Sequence, residues 1–159
     1  MKTLVAFYSV FGNTQKVAEV IAAELKEKGV VQLVSLDKLG GADLANLDLV
    51  ILGAPTHNGG LPKAVRPFFS ALPRRVLKKT PGAVFDTSRK AEGWWASFTA
   101  SRRLTGKLRK MGGKLVTPPQ SFYIAGCEGP LLDGELERVK AWTGQIVSAL
   151  GDRGDASGI

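Results

Sequence analysis

The sequence alternates between short, nearly continuous apolar runs and longer segments with helical periodicity. Apolar runs such as 2–8 and "DLVILG" at 48–53 are typical of strands that helices cover on both faces. The predicted strands lie at 2–8, 30–36, 48–53, 81–86 and 114–124, the last interrupted at Pro118-Pro119. The predicted helices lie at 13–29, 62–72, 96–112 and 133–150. Because parallel strands need crossover connections, this order predicts a three-layer, doubly wound α/β protein with a five-stranded parallel sheet.

Length and cysteine content add further limits. The chain has 159 residues, and Cys127 is its only cysteine, which excludes an intramolecular disulfide and a cysteine-rich metal site. No run approaches the ~18 apolar residues of a membrane helix. We therefore expect a soluble, cytoplasmic protein with one domain over 1–150 and a mobile C-terminal tail over 151–159, where the sequence becomes small and polar.

Three polar segments follow the first, third and fourth predicted strands. They are "SVFGNT" at 9–14, "APTHNGGLP" at 54–62 and "DTSRKAEGWW" at 86–95. In a doubly wound sheet the ligand crevice lies outside the carboxyl ends of the strands, where the strand order reverses. We therefore expect the functional site where these three segments meet.

The segment 9–14 has the composition of an anion-binding turn. Unpaired N–H groups and the helix dipole hold a phosphate at a helix N-terminus. Ser9, Asn13 and Thr14 add side-chain donors, and Gly12 lets the backbone approach a ligand closely. The alternative is that Asn13 or Thr14 only caps the helix, which leaves Ser9 and Gly12 unexplained. The spacing matches neither the P-loop motif of ATPases, G-x-x-x-x-G-K-[ST], nor the dinucleotide-binding motif, G-x-G-x-x-G.

These segments resemble those of flavodoxins. The segment 9–14 is similar to the family's phosphate loop, [ST]-x-[ST]-G-x-[ST], except that Phe11 stands where a hydroxyl residue is usual. The segment 53–62 resembles the family's G-[SA]-P-[TI] stretch, which lies along the flavin ring, and "GPLLDGELERVKAW" resembles the start of its last helix. The resemblance implies a flavodoxin-like fold with strand order 2-1-3-4-5 and FMN as the cofactor.

The resemblance also implies which residues bind the cofactor, with no catalytic residue and no metal ligand among them. Those expected around the phosphate are Ser9, Val10, Phe11, Gly12, Asn13 and Thr14. The other residues expected to bind the cofactor are Pro55, Thr56, His57, Asn58, Gly59, Asp86, Thr87, Ser88, Arg89 and Trp94. Either Trp94 or Trp95 is available to stack on the flavin; core packing or a homodimer contact is an equal alternative for the pair.

The segments 54–62 and 86–95 also bear on the reduction potentials expected for FMN. A peptide that rotates to offer its C=O to the flavin N5 stabilises the one-electron-reduced state, and the candidates are Asn58-Gly59 and Gly59-Gly60. A flexible turn before the helix at Pro62 is the alternative. Arg89 brings positive charge, which predicts a less negative second reduction potential than in acidic flavodoxins.

The net charge of +8 is unevenly distributed. Residues 63–114 hold 14 of the 22 Lys and Arg but only two acids, Asp86 and Glu92. Such a basic sector favours an anionic partner, and with the flavodoxin resemblance it predicts an acidic redox partner protein. A well-solvated basic surface is the alternative.

Three functions compete. The first is an FMN-binding protein that shuttles electrons between redox partners. The second is an FMN-dependent NAD(P)H:quinone reductase or protoporphyrinogen-type oxidase, although the chain lacks long insertions that would build a substrate pocket. The third is a basic module that binds nucleic acid without a flavin, which no helix-turn-helix, zinc or RNA-binding signature supports.

Overall fold

A parallel β-sheet lies at the centre of the chain, which the computed structural model describes over residues 1–156, apart from the side chains of residues 95 and 154–156. Within this described part, the strands are β1 Lys2–Phe7, β2 Val30–Ser35, β3 Leu49–Pro55, β4 Pro81–Arg89, β5 Lys114–Leu115 and β6 Gln120–Ile124. Neighbouring strands are parallel in the order β2-β1-β3-β4-β5, and β6 also pairs with β4. The predicted parallel sheet and strand order 2-1-3-4-5 are confirmed.

The predicted fifth strand divides into two. β5 pairs with Pro81 and Gly82 at the start of β4, whereas β6 pairs with residues 85–89 at its end. Pro118 and Pro119 lie between the two strands. A proline nitrogen has no hydrogen to donate to a sheet, so the ladder is interrupted at these residues.

Helices cover both faces of the sheet. They are α1 Asn13–Leu25, α2 Arg66–Ser70, α3 Ala100–Lys110 and α4 Glu135–Ala156. Because successive side chains of a strand point to opposite faces, Leu4 and Ala6 of β1 pack in a core with α2 and α3, and Val5 and Phe7 pack in a core with α1 and α4. These are the expected three layers. No helix within residues 1–156 is long and apolar enough to span a membrane.

The four predicted helices all differ in length in the structure. α1 ends at Leu25 rather than at residue 29, and α3 spans Ala100–Lys110 rather than 96–112. The helix expected over 62–72 is a single turn, Lys63–Val65, followed by the five residues of α2. Pro67 cannot donate the hydrogen bond to residue 63 that would continue one α-helix through this segment. The last helix starts at Glu135 and continues past the expected end at residue 150 to Ala156, because a glycine such as Gly151 weakens a helix by about 1 kcal/mol without ending it. The mobility of the tail stays a prediction, and residues 157–159 lie outside the described part.

Candidate functional site

The three polar loops meet at the carboxyl ends of β1, β3 and β4 around a cavity of about 320 Å³. The predicted site residues that line it are Ser9, Val10, Phe11, Asn13, Thr14, Pro55, Thr56, His57, Asn58, Thr87 and Arg89. Ile124 and Cys127 complete the lining. Sequence reasoning missed these two, although the carboxyl-end rule applied to the fifth strand would have pointed to them.

A second cavity of about 910 Å³ adjoins the first. The two cavities share Thr56, Asn58, Arg89 and Ile124. They therefore lie side by side along a common wall, and we call the two together the cleft. Gly59 and Ser88, both predicted, line its second part, together with the exposed apolar side chains of Phe98 and Leu132, which the sequence did not single out.

The loop 9–14 owes its shape to Ser9 and Gly12. The Ser9 Oγ accepts hydrogen bonds from the backbone N–H groups of Gly12, at 3.1 Å, and of Gln15, at 3.3 Å. Gly12 has a φ of 91°, a left-handed conformation that glycine adopts without strain. Ser9 thus satisfies an N–H group of the first turn of α1, as a helix N-cap does. The alternative in which Asn13 or Thr14 caps the helix is wrong, because the cap position has no side-chain hydrogen bond from either.

The side chains of Asn13 and Thr14 bind other parts of the protein. The Asn13 Nδ2 donates to the carbonyl oxygen of Glu128 at 3.0 Å, and the hydroxyls of Thr14 and Thr87 lie 2.7 Å apart in a buried position. The donors that remain in the loop are the backbone N–H groups of residues 10, 11, 13 and 14, which bind no acceptor within residues 1–156. The turn therefore offers backbone donors more than side-chain donors.

The cavity beside this loop favours an anion. Among the described residues that line it, Arg89 is the only charged side chain, and no acid is present. The N-terminus of α1 adds the partial positive charge of the helix dipole. Unpaired N–H groups arranged around a concave turn are the usual cradle for a phosphate group.

Two predicted site residues hold the frame of the cleft. The Thr56 Oγ1 accepts a hydrogen bond from the backbone N–H of Ala100 at 2.8 Å, which fixes the start of α3. Asp86 is fully buried and lines neither cavity; its Oδ2 accepts from the Ser101 N–H at 3.1 Å and from the Ser121 hydroxyl at 3.0 Å. Burial raises the pKa of the Asp86 carboxyl, and hydrogen bonds from these serines oppose part of that rise. Because side chains alternate along β4, Asp86 faces α3 while the next residue faces the cleft.

Trp94 lies outside both cavities. Its side chain is 64% exposed, and its ring meets that of Phe98 edge-to-face with 5.1 Å between centroids. Phe98, rather than Trp94, therefore lines the cleft. The side chain of Trp95 lies outside the described part, so the choice of stacking ring stays a prediction.

The second loop contains a tight turn at 57–60. His57 and Gly60 exchange two backbone hydrogen bonds, of 2.8 and 2.9 Å. Asn58 and Gly59 between them have φ values of 48° and 75°, as in a type I′ turn. The Gly59–Gly60 peptide is tied down because the Gly60 N–H donates to His57. The Asn58–Gly59 peptide has no hydrogen bond within the described part, so of the two predicted peptides it is the one free to rotate.

Comparison with known proteins identifies the family. A family model described as a flavodoxin domain matches residues 4–120. The chain belongs to the flavodoxin family. Flavodoxins are flavin-binding proteins. The matched residues of this chain include the loops after β1, β3 and β4. No curated protein sequence matches the chain.

Solved flavodoxins share its fold. A flavodoxin from the domain Archaea is 23% identical, with a TM-score of 0.72 over 95% of this chain and 99% of that one. Oxidised flavodoxin 1 from Bacillus cereus is 22% identical, with a TM-score of 0.73 over 93% and 98% of the two chains. Oxidised flavodoxin 2 from the same organism is 21% identical, with a TM-score of 0.75 over 93% and 99%. At 21–23% identity, this structural similarity establishes the fold of the present chain.

Proposed function

We propose that this chain binds FMN in the cleft and carries electrons between redox partner proteins. The observation that carries the proposal is the loop 9–14, in which four backbone N–H groups have no acceptor within residues 1–156. They lie beside a cavity whose one charged lining residue in the described chain is Arg89. A phosphate monoester matches this donor set in charge, and the lone pairs of its three terminal oxygens can accept from all four N–H groups.

The shape of the cleft also fits FMN. The first part, of about 320 Å³, would take the phosphate and ribityl chain, and the second part, of about 910 Å³, would take the ring. Ligand pockets commonly hold about 300–1,000 Å³. Phe98 and Leu132, which are 45% and 38% exposed, supply an apolar wall on the second part.

FMN would supply one- and two-electron redox chemistry, while the protein supplies orientation and electrostatics. Residues 10, 11, 13 and 14 would hold the phosphate through their N–H groups. The turn at 57–60 would lie against the ring, and its unbonded Asn58–Gly59 peptide would offer a hydrogen-bonding group there. Arg89, which lines both parts of the cleft, would attract the negative charge of the reduced ring.

Fluorescence quenching titrations of the purified protein with FMN and with riboflavin test the proposal. Two charge-assisted hydrogen bonds to the phosphate are worth about 3 kcal/mol, so FMN should bind at least about a hundredfold more tightly than riboflavin. Equal affinities would contradict the phosphate role of the loop. Rapid oxidation of NADPH with a quinone acceptor by the FMN-loaded protein would contradict the carrier role and favour the quinone reductase.

A matched pair of variants locates the phosphate. Phe11 in the loop and Val30 on β2 are both exposed, at 52% and 71%, so either accepts a glutamate without disturbing a core. A carboxylate about 6 Å from a dianion repels it by about 1.4 kcal/mol in water. Phe11→Glu should weaken FMN about tenfold and leave riboflavin unchanged, whereas Val30→Glu should change neither. An equal loss of both ligands in Phe11→Glu would point to misfolding of the loop.

A further inference from the structure

A groove lined with cations lies on the other side of the turn at 57–60. It has a volume of about 980 Å³ and runs between the segment 63–70 and α3. Its cationic side chains are Lys63, Arg66, Arg102, Arg103, Lys107 and Lys110. No acid lines it, and none of these six side chains forms an ion pair with another residue of the described chain. We refer to these residues and the space between them as the basic groove.

The cations occupy one side of α3. Arg103, Lys107 and Lys110 follow one another at spacings of four and three residues, so they lie along a single helix face. Like charges at this spacing destabilise a helix. Together with Arg102, these lining cations of α3 form a row that extends for about 12 Å along the helix, at 1.5 Å per residue. Because these cations repel one another and have no acidic partner within the described chain, we expect an anionic ligand or partner to neutralise them.

Gly106 leaves room at the centre of this row. A Cβ at Gly106 would have no atom within 4 Å, so packing does not require a glycine there. Glycine in the middle of a helix lowers its stability. Beside it, the Lys107 ammonium lies over the ring of Phe69, 5.9 Å from the centroid, which holds one cation at the wall of the groove. The floor of the groove is thus open to a ligand that approaches α3 closely.

We propose that the basic groove docks an acidic segment of a protein redox partner. The inference rests on the proposed function, because the groove shares His57, Asn58 and Gly59 with the cleft. A partner seated in the groove therefore contacts the turn that would flank the flavin ring. The partner would contact both walls of the groove, one of which carries Arg66 and the other Lys110.

The lining favours carboxylates over nucleotides. No Phe, Tyr or Trp side chain of the described residues lines the groove, and the one aromatic ring among them, the imidazole of His57, also lines the cleft. The groove therefore lacks the row of rings on which successive bases stack. Its six cations are spread along both walls rather than gathered around one point. Side chains two apart on an extended strand, or four apart on a helix, are about 6–7 Å from each other. Two or three carboxylates of one segment therefore match the 12 Å row, as in the small, salt-sensitive contacts of redox proteins.

Binding of a fluorescein-labelled hexaglutamate peptide to the full chain, measured by fluorescence anisotropy at low salt, tests the proposal. The groove variant is Arg66→Glu/Lys110→Glu, which reverses one exposed cation on each wall. The control is Lys28→Glu/Lys38→Glu, which changes the net charge by the same amount at exposed positions outside the groove. The groove variant should bind the peptide at least about tenfold more weakly than the wild type, and the control within about twofold.

Equal losses in the two variants would overturn the proposal, because they would show attraction to the net charge alone. Tighter, groove-dependent binding of NADP⁺ or of a short DNA duplex than of the peptide would also overturn it and assign the groove to phosphates. Arg66→Gln/Lys110→Gln keeps the test valid if the double glutamate variant does not fold, with an expected loss of about threefold. Anisotropy does not depend on the flavin, so failure to bind FMN would overturn the proposed function and leave this result readable.

Discussion

If FMN binds in the cleft as proposed, the turn at 57–60 should make its first reduction potential depend on the side chain at Asn58. Rotation of the Asn58–Gly59 peptide turns a type I′ into a type II′ turn, in which the first central residue keeps a positive φ and its ψ moves to about −120°. Asn58 already has a φ of 48°. Glycine occupies the rotated conformation readily, whereas any other residue there costs about 1–3 kcal/mol.

Asn58→Gly should therefore raise the first reduction potential. If the rotated peptide offers its carbonyl to the N5–H group that both reduced states of FMN carry, the substitution relieves strain in the reduced states and not in the oxidised state. Relief of about 1–2 kcal/mol corresponds to a shift of about 40–80 mV, since 59 mV equals a tenfold change for one electron. The second potential should change little, because the fully reduced ring also carries N5–H and would keep the same hydrogen bond.

Spectroelectrochemical titration of the FMN-loaded protein measures both potentials. Gly60→Ala is the matched control, because Gly60 has no positive φ and an added Cβ would lie 4.0 Å from the nearest atoms, which belong to Arg103. The control should leave the first potential within about 15 mV of the wild type, a quarter of the tenfold step. An unchanged potential in Asn58→Gly, or an equal shift in Gly60→Ala, would refute the assignment of the rotating peptide.

Three further predictions concern single residues. Arg89→Glu should lower the second reduction potential by about 40 mV, because two units of charge change about 8 Å from the ring; titration without a shift would contradict a position near it. Gly106→Ala should raise the free energy of unfolding by about 0.5–1 kcal/mol, because alanine favours a helix and has room there. Gly12→Ala should lower it by about 1 kcal/mol, because Gly12 has a φ of 91°. Urea titrations measure both changes, and changes of the same sign would contradict these two backbone effects. Because burial raises the pKa of Asp86 above 3.8, its contribution to stability is present at acidic pH and is lost as the pH rises through the folded-state pKa. In the wild type, the melting temperature should therefore be higher at acidic pH, and Asp86→Asn should lose part of this difference. Thermal unfolding measured against pH checks this, and an unchanged profile in the variant would contradict the raised pKa of Asp86.

The sequence by itself determined the parallel sheet and the edge of it at which the three polar loops meet. Runs such as 48–53 are apolar throughout, and helical segments separate them, so the chain has few ways to bury both faces of its strands. The positions of Ser9 and Gly12 at the end of β1 were informative for a similar reason. Their hydrogen bond joins residues only three apart in the chain, within the reach of local patterns.

Only the tertiary structure decided which of the predicted site residues face the cleft. The Thr14 hydroxyl binds Thr87, 73 positions away, and the Asn13 amide binds Glu128, 115 positions away. Asp86 is directed to the opposite face of β4 by the alternation of the strand. Such contacts depend on how distant elements pack, and no spacing along the chain contains that information. The basic groove arises in the same way, because its two walls lie side by side on one face of the sheet although β4 separates them in the sequence.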